Sequence, residues 1–320
     1  MTKILVIGSA GQIGSELTLN LRELYGDDNV IAGIITSKPP EILSETGPWE
    51  IVDILDRQMI VSAVKSHRVD TIVNMAAILS ATGEGNPMLA WDVNMNGLIN
   101  VLEVAREFKM KQVLVPSSIA VFGPATPVNH TPQETVLNPT TIYGVTKVAG
   151  ELLGDYYVKR YGLDVRGLRY PGIISHKTLP GGGTTDYAVA IYYEAVKNRK
   201  YTCFVNEETR LPMMYMPDCL KATIELMQAD FKTLGHHCNF NVGAMSFTAG
   251  ELALSVKKHM PDFEINYKPD ERQKIADSWP DSVDDTAARE EWGWKHEYDL
   301  DNMTRDMLKA ISEKHEKGLI

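Results

Sequence analysis

The sequence alternates short apolar runs with longer segments in which apolar residues recur every three or four positions, as far as about residue 175. Short β-branched runs are typical of strands buried on both faces of a parallel sheet, and the periodic segments predict helices between them. We therefore predict an α/β fold, a doubly wound parallel sheet with helices on both faces. The predicted strands are residues 4–7, 30–35, a short run that ends at Asp53, 71–75, 112–115 and 165–170.

Capping residues help to place the helices between these strands. Asn86 followed by Pro87 is typical of a cap with proline at the first helical position, and Gly162 is typical of a residue that ends a helix. The predicted helices cover residues 13–24, a segment from about 56, residues 86–109 and residues 138–161.

The pattern becomes irregular after residue 175. Residues 180–183 (PGGG) predict a loop, strand-like pieces occur near 201–205 and 213–216, and Thr248 and Glu251 form a capping-box pattern before a helix. The chain ends in a charged helix. We predict a Rossmann nucleotide-binding domain over 1–175 and, over 176–320, a smaller and mostly C-terminal substrate lobe, part of which returns to the sheet.

Composition and charge exclude several classes of protein. A net charge of −10 and a pI near 5.3 argue against a surface for nucleic acid or anionic membranes. No apolar run approaches the ~20 residues that span a bilayer. Cys203, Cys219 and Cys238 are too few and too scattered for a disulfide framework or a zinc site. We therefore expect reduced thiols, no metal and a cytoplasmic location.

Three glycines directly follow the first predicted strand. Gly8, Gly11 and Gly14 stand at three-residue spacing and open the first predicted helix. A strand, a glycine turn and a helix place free backbone N–H groups and the helix dipole where a pyrophosphate binds. A glycine-rich turn without a ligand is the alternative. The spacing resembles that of the short-chain dehydrogenase/reductase superfamily.

A tyrosine and a lysine four residues apart occur twice, as Tyr143/Lys147 and as Tyr193/Lys197. On a helix the two side chains share a face, and an ammonium beside a phenol lowers the phenol pKa and favours general-base chemistry. Only Tyr143 has a serine pair, at positions 117–118, at the carboxyl end of a predicted strand, where ligands bind in open α/β sheets. We assign catalysis to Tyr143 and a surface or packing role to Tyr193.

Around this pair the resemblance narrows to the extended, UDP-galactose 4-epimerase-like branch of the superfamily. The segments that carry it are residues 74–77 (NMAA), 94–97 (NMNG), 115–123 (VPSSIAVFG), 143–147 (YGVTK) and 168–172 (LRYPG).

The resemblance implies catalytic roles for four residues. Ser118 would hydrogen-bond the reacting oxygen, and Tyr143 would exchange its proton. Lys147 would bind ribose and tune Tyr143, and Asn94 would support the proton path. A simple amide on the helix surface is the alternative for Asn94.

The resemblance also implies NAD as the cofactor and a set of residues around it. Asp53 would contact adenine, with a simple turn aspartate as the alternative, and Pro171 and Ile173 would lie against the nicotinamide. The implied cofactor residues are Gly8, Gly11, Gln12, Ile13, Gly14, Asp53, Ile54, Ala76, Ala77, Tyr143, Lys147, Tyr170, Pro171 and Ile173.

One position departs from the family pattern. Members usually carry an acid at the end of the second strand, where it binds the adenosine ribose hydroxyls. The aligned residue here is Ile34. Thr36, Ser37 and Lys38 lie near enough to receive a 2′-phosphate, but no arginine is present there. We keep NAD as the expected cofactor, with weakened affinity and selectivity.

Four further segments resemble short-chain-type L-threonine 3-dehydrogenases: residues 77–81, 180–188, 212–216 and 272–280. This resemblance implies hydride transfer from Cβ of L-threonine to NAD, giving 2-amino-3-oxobutanoate in threonine catabolism. A core role is an equal alternative for Trp279. The implied substrate residues are Leu79, Ser80, Ser118, Tyr143, Gly183, Thr185 and Trp279.

Two rival functions share the cofactor half: a nucleotide-sugar epimerase or dehydratase, and a non-catalytic NAD-sensing protein. The first would need a sugar-diphosphate site in the C-terminal lobe, and the second usually loses the tyrosine or the lysine. The resemblance further implies a homodimer, because extended members usually pair through two helices per subunit, here 87–109 and 139–161.

Overall fold

The computed structural model describes residues 2–177 and 182–320. The prediction of a loop at 180–183 therefore lies partly outside the described residues. In chain order the strands are β1 (Ile4–Ile7), β2 (Val30–Ile34), β3 (Trp49–Ile51), β4 (Thr71–Asn74), β5 (Gln112–Leu114), β6 (Ser117–Ser118), β7 (Val165–Arg166), β8 (Leu168–Tyr170), β9 (Gly172–Ile174), β10 (Lys200–Cys203), β11 (Arg210–Tyr215), β12 (Phe240–Asn241), β13 (Met245–Thr248) and β14 (Glu264–Tyr267).

The helices are named in the same way. They are α1 (Gln12–Tyr25), α2 (Glu41–Glu45), α3 (Arg57–His67), α4 (Ser80–Gly85), α5 (Pro87–Trp91), α6 (Gly97–Glu107), α7 (Ile142–Tyr161), α8 (Tyr187–Asn198), α9 (Met216–Gln228), α10 (Ala249–His259), α11 (Arg272–Ala276), α12 (Thr286–Trp292) and α13 (Leu300–Glu316). Short 3₁₀ turns cover Asp27–Asn29, Ile119–Val121 and Phe231–Thr233.

Six parallel strands form the central sheet, in the order β3-β2-β1-β4-β5-β7. The strands of the middle of the sheet are fully buried, as their apolar composition predicts. The order of the strands reverses between β1 and β4, and ligands of such sheets bind in the crevice at the carboxyl ends of the strands at this point. The predicted α/β fold with a doubly wound parallel sheet is confirmed.

The sixth predicted strand is divided in two, so the prediction of one strand over 165–170 is wrong. Gly167 separates β7 from β8, and its backbone N–H donates to the carbonyl of His237. A Cβ at Gly167 would lie 2.5 Å from the Val115 carbonyl oxygen, so only glycine lets the chain pass. Strand β7 stays in the central sheet, whereas β8 pairs with β6 and β12.

The C-terminal part of the chain contributes to both sides of the molecule. Strand β12 pairs with β8, and α9 packs on α1 beside the central sheet. A separate sheet, in which β11 lies between β9 and β13, packs with α8, α10 and α13 around a large apolar core. This arrangement agrees with a chain that returns to the nucleotide-binding half, and the division at residue 175 stays a prediction.

The capping predictions are confirmed for Asn86 at the start of α5, for Thr248 and Glu251 at the start of α10, and for Gly162 at the end of α7. Helix α3 begins after Asp56, whose side chain accepts the N–H bonds of Gln58 and Met59. The long helix does not begin at 138–139. It begins at Ile142, because Thr141 is its cap and accepts a bond from the Gly144 N–H.

The helix predicted over 86–109 contains an irregularity that the sequence did not predict. Helices α5 and α6 are joined by a π-helical turn, Asp92–Asn96, so the backbone is wider there than in an α-helix. The turn carries Asn94. In the part of the chain that the structure describes, no helix is both long and apolar enough to cross a membrane.

Candidate functional site

A cavity of ≈ 230 Å³ opens at the carboxyl ends of the central strands, where the order of the strands reverses. Its wall is formed by the glycine turn, the segments after β4 and β5, the start of α7 and the segments on either side of β9. It brings together most residues of the three predicted sets: Gly11, Gln12, Ile13, Gly14, Ala76, Ala77, Leu79, Ser80, Ser118, Tyr143, Lys147, Tyr170, Pro171, Ile173, Gly183, Thr185 and Trp279.

The glycine turn has the shape that a dinucleotide needs. Gly8 has φ 84°, and a Cβ on it would lie 2.7 Å from the backbone nitrogen of Ala76. A Cβ on Gly14 would lie 2.3 Å from the Gly8 carbonyl oxygen, so the start of α1 can approach β1 only because glycine is present. The amide nitrogen Nε2 of Gln12 is buried without a hydrogen-bond partner among the described residues. Backbone donors at a helix N-terminus and an unpaired amide donor fit a pyrophosphate-bearing cofactor.

Ser118, in β6 directly after β5, lies near Tyr143 at the carboxyl end of the central sheet. Ser118 caps the 3₁₀ turn Ile119–Val121, and its hydroxyl accepts a bond from the Ala120 N–H. The same side chain lies near the Tyr143 hydroxyl and acts to lower the pKa of that phenol. Tyr143 is the second residue of α7 and is 9% exposed. The serine pair and the tyrosine thus form one polar wall of the cavity.

The net pKa of Tyr143 is raised rather than lowered, and the lowering effect expected of Lys147 stays a prediction. Burial raises the pKa of Tyr143 to about 12, because a phenolate would lose its hydration, and the effect of Ser118 only partly offsets this. The Lys147 ammonium lies 5.4 Å from the centre of the Tyr143 ring and donates to the carbonyl oxygen of Pro116 at 2.7 Å. Burial lowers the pKa of Lys147 itself to about 8.

Asn94 lies behind the cavity rather than on the helix surface, so the alternative of an exposed amide is wrong. Its side-chain oxygen accepts from the Ile78 N–H at 2.8 Å, and its amide donates to the Ile78 carbonyl and to the Thr146 hydroxyl, both at 3.1 Å. Ile78 belongs to the segment after β4 that lines the cavity, and Thr146 precedes Lys147. Asn94 therefore ties the two walls of the site together, and its role in a proton path stays a prediction.

The end of the cavity away from the glycine turn is closed by two contacts between distant segments. The hydroxyls of Ser80 and Thr184 lie 3.2 Å apart, so the segment before α8 is joined to α4. Trp279 is 8% exposed, and it both lines the cavity and packs in the apolar core beside β11. Its contact with a substrate stays a prediction. The space between these contacts suits a small ligand.

Sequence reasoning missed Thr184 and Asp186 in this wall. One carboxylate oxygen of Asp186 accepts the N–H bonds of Gly182 and Gly183, at 2.9 and 2.8 Å, which fixes the segment that carries Thr184. Burial raises the pKa of Asp186 against the effect of these bonds. A loop aspartate three residues after glycine was the available signal, because it is typical of a side chain that binds nearby backbone N–H groups.

Four predicted residues do not line the cavity: Gly8, which shapes the turn, Asn94, Asp53 and Ile54. Asp53 accepts a bond from the Leu55 N–H, as a simple turn aspartate does. Ile54 is 4% exposed and packs against Gly97, where a Cβ would lie 2.9 Å from it. Contacts of Asp53 and Ile54 with adenine stay predictions.

Ile34 ends β2 next to the glycine turn and is 1% exposed, whereas the following Ile35 is 67% exposed. The position that carries an acid in the family pattern is thus occupied here by a buried apolar side chain. Tyr193 lies elsewhere, in α8, where its hydroxyl donates to the carbonyl of His176. Among residues 2–177 and 182–320, no three His, Cys, Asp or Glu side chains are grouped so that they could hold a metal ion.

Comparison with known families gives a clear match. Residues 4–243 match the model of the NAD dependent epimerase/dehydratase family. A curated protein of Staphylococcus haemolyticus, described as an uncharacterized epimerase/dehydratase, is 48% identical over 99% of this chain and 99% of its own length.

Two solved structures share the fold over nearly the whole chain. L-threonine dehydrogenase from Clostridium difficile is 52% identical, with a TM-score of 0.94 over 98% of each chain. A monomeric L-threonine 3-dehydrogenase from a metagenome database is 50% identical, with a TM-score of 0.93 over 97% of this chain and 99% of that one. The resemblance to the extended short-chain dehydrogenase/reductases is thereby confirmed.

Proposed function

Because this chain belongs to the NAD dependent epimerase/dehydratase family, we propose that it is an L-threonine 3-dehydrogenase, which transfers hydride from Cβ of L-threonine to NAD. NAD is the cofactor, and the enzyme is an oxidoreductase of this family that acts on a small molecule. The finer assignment to threonine is supported by the identities of 52% and 50% with threonine dehydrogenases that cover almost the entire chain.

The observation that carries the proposal is the far end of the cavity. Opposite the glycine turn it is closed by the Ser80–Thr184 contact and by Trp279. The hydroxyls and backbone groups of this closed end suit a small amino acid better than a sugar diphosphate.

The residues of this chain supply the acid–base part of the reaction. Tyr143 accepts the proton of the threonine hydroxyl, and Ser118 donates a hydrogen bond to the oxygen that becomes the carbonyl. The hydrogen on Cβ would leave as hydride, with both electrons of the C–H bond, and NAD would supply the acceptor when bound. The products are 2-amino-3-oxobutanoate, NADH and one proton.

The lysine explains how a tyrosine with a raised pKa can act as a base. Lys147 donates one hydrogen bond to the Pro116 carbonyl, and its other N–H groups can bind ribose hydroxyls. Its positive charge, together with that of the oxidised cofactor, favours the phenolate of Tyr143. We therefore expect the pKa of Tyr143 to fall from about 12 when NAD binds.

A nucleotide-sugar epimerase or dehydratase is the second candidate, because the family name covers both activities. The experiment that separates the two is a spectrophotometric assay of NADH formation with L-threonine, L-allo-threonine, L-serine and a UDP-sugar, with and without a chelator. We expect NADH from L-threonine, with or without chelator. Activity that disappears with the chelator and returns with zinc would contradict the proposal, as would turnover of the UDP-sugar alone.

We also propose a homodimer that forms through α5, α6 and α7. These neighbouring helices expose a row of apolar side chains, which is unusual for a surface in contact with water. A second copy of the chain would cover this face in a symmetric four-helix contact. The monomeric relative makes the oligomeric state a matter for measurement. The exposed residues are Met88, Leu89, Trp91, Ile99, Val145, Leu152, Tyr156 and Tyr161.

The cytoplasm is the proposed location. Cys203, Cys219 and Cys238 are free and buried thiols, which is typical of a protein that folds in a reducing compartment.

A further inference from the structure

A buried carboxylate lies one helical turn beyond the catalytic lysine. Glu151 follows Lys147 by four residues on α7 and is 6% exposed. One of its oxygens accepts a bond from the Ser117 hydroxyl at 2.5 Å and from Arg169 Nε at 2.8 Å. The other accepts from Arg169 Nη2 at 2.8 Å. None of the functions assigned above uses this carboxylate.

Glu151 is connected to the site through the segment after β5. Ser117, which it holds, stands between Pro116, whose carbonyl accepts the Lys147 ammonium, and Ser118, which lies near Tyr143. A second cavity, of ≈ 20 Å³, lies between these groups and is lined by Lys147, Glu151, Ser117, Asn94 and Thr146 among others. This volume is sufficient for about one water molecule. Lysine and carboxylate thus face one small polar space.

We propose that Glu151 is a positioning residue of the reaction: its two oxygens fix the 116–118 segment, and its negative charge keeps Lys147 in the ammonium form. The effect of Glu151 on the charge of Lys147 is expected whatever the substrate of the protein is. The effect on turnover rests on the proposed threonine dehydrogenase activity. The positive charge of Lys147 is what binds ribose and favours the Tyr143 phenolate, so its loss would affect both steps.

Among the described residues that line the small cavity with Lys147, Glu151 is the one carboxylate. Tyr143 is neutral at physiological pH, and burial raises the pKa of the Cys238 thiol well above its ordinary value. Arg169, on β8, donates one hydrogen bond to each carboxylate oxygen of Glu151. Burial lowers the pKa of Lys147 to about 8, and Glu151 opposes that change. Removing the carboxylate would also leave the Arg169 charge unpaired, so both effects disfavour the ammonium.

A buried ion pair is by itself weak evidence for a functional role. The chain offers a control in Arg166 and Asp164, a bidentate pair whose side chains are 4% and 16% exposed, against 3% and 5% for Arg169 and Glu151. Arg166 also donates to the carbonyls of Leu226 and Ala229 at the end of α9, and neither residue of the pair lines the cavities around Lys147. Asp164→Asn removes one carboxylate from a buried pair without altering the surroundings of Lys147.

The test is a ¹³C NMR titration of the lysine side chains in the protein without cofactor, with the Lys147 signal assigned by its loss in Lys147→Met. Glu151→Gln should lower the midpoint of Lys147 by about one pH unit or more, the effect of removing a nearby opposite charge. Asp164→Asn should leave it unchanged. Glu151→Asp moves the carboxylate away from Lys147 by one methylene and should lower the Lys147 midpoint by less than Glu151→Gln does. This second variant can be measured if Glu151→Gln does not fold.

The second readout is the alkaline limb of the pH dependence of NAD binding and of kcat/KM. It should move to lower pH in Glu151→Gln and stay in place in Asp164→Asn. A Lys147 midpoint that is the same in wild type and in both Glu151 variants would overturn the proposal. A midpoint that moves in a protein that does not oxidise threonine would uphold the role of Glu151 and refute the proposed function.

Discussion

Helices α7 and α8 carry the same short pattern, a tyrosine four residues before a lysine, yet only α7 forms part of the cavity. Both tyrosines are buried, Tyr143 at 9% exposure and Tyr193 at 6%. The hydroxyl of Tyr143 meets Ser118 at the carboxyl end of the central sheet, whereas that of Tyr193 donates to the His176 carbonyl at 2.9 Å. The spacing fixes a shared helix face, and the position of the helix in the fold decides whether that face meets a ligand.

The two lysines differ in the same way. Lys147 is held by the Pro116 carbonyl inside the site, and burial shifts its pKa, whereas Lys197 is exposed at the end of α8. The outer faces of the helices differ as well. Most of α8 is buried against α10, α13 and β10, while α7 leaves Leu152 65% and Tyr156 50% exposed. One helix is thus available to a ligand on one side and to a second chain on the other.

The largest effect is expected from Tyr143→Phe. Removing the general base should lower turnover by at least ~10²-fold. Steady-state NADH formation measures it, and Tyr193→Phe is the matched control, which should leave turnover nearly unchanged. Equal losses in the two variants would show that the assignment of the pair is wrong.

The outer face of α7 is tested by Leu152→Lys. In a symmetric dimer two copies of this change each lose about 1.5 kcal/mol or more of apolar burial, so self-association should weaken by roughly 10²-fold. Analytical ultracentrifugation reports the change, with Leu254→Lys on α10, which is 64% exposed, as the control for a surface charge. A wild-type protein that is a stable and fully active monomer would refute the dimer and its support of the catalytic helix.

Ile34→Asp tests how the cavity beside α7 binds the adenosine ribose of the cofactor. Because the Ile34 side chain is 1% exposed, an aspartate there is expected to turn out of the apolar interior toward the ribose. A charged hydrogen bond to the ribose should then tighten NAD by about 1.5–3 kcal/mol, or roughly 10- to 150-fold. The same carboxylate should weaken NADP by repulsion of the 2′-phosphate. Calorimetric titration of both cofactors into both proteins measures these changes. Unchanged affinities would mean that another residue already binds the ribose.

The smallest effect is expected on the α8 side. Tyr193→Phe removes the bond to the His176 carbonyl, a group that also accepts from the Lys314 ammonium at 2.5 Å. The free energy of unfolding should fall by about 0.5–1.5 kcal/mol, the net value of one hydrogen bond. Urea denaturation measures it. A loss of several kcal/mol would indicate that this tyrosine organises the segment before residue 178.

The sequence predicted best where a single local pattern determines the backbone. Apolar runs gave the strands of the central sheet, the three glycines gave the turn between β1 and α1, and Gly162 gave the end of α7. The serine pair identified which tyrosine belongs to the site, because the end of a parallel strand is a position that the pattern itself defines.

Other features depend on contacts between distant segments, and the sequence did not reveal them. The break between β7 and β8 occurs at Gly167 because the Val115 carbonyl leaves no room for a side chain there. The hydroxyl of Thr184 contacts that of Ser80, which lies more than one hundred residues earlier in the chain. The raised pKa of Tyr143 results from burial, which a helical spacing does not report. The π-helical turn that carries Asn94 contacts α7, and Asn94 donates to the Thr146 hydroxyl of that helix.

The central claim is that the cavity beside Tyr143 removes hydride from Cβ of L-threonine. The most direct measurement uses L-threonine labelled with deuterium at Cβ and mass spectrometry of the reduced cofactor. We predict that deuterium appears in the nicotinamide ring of NADH, and that Tyr143→Phe slows this transfer while Tyr193→Phe does not. Unlabelled NADH, or no reduced cofactor from threonine while a UDP-sugar is converted, would contradict the account.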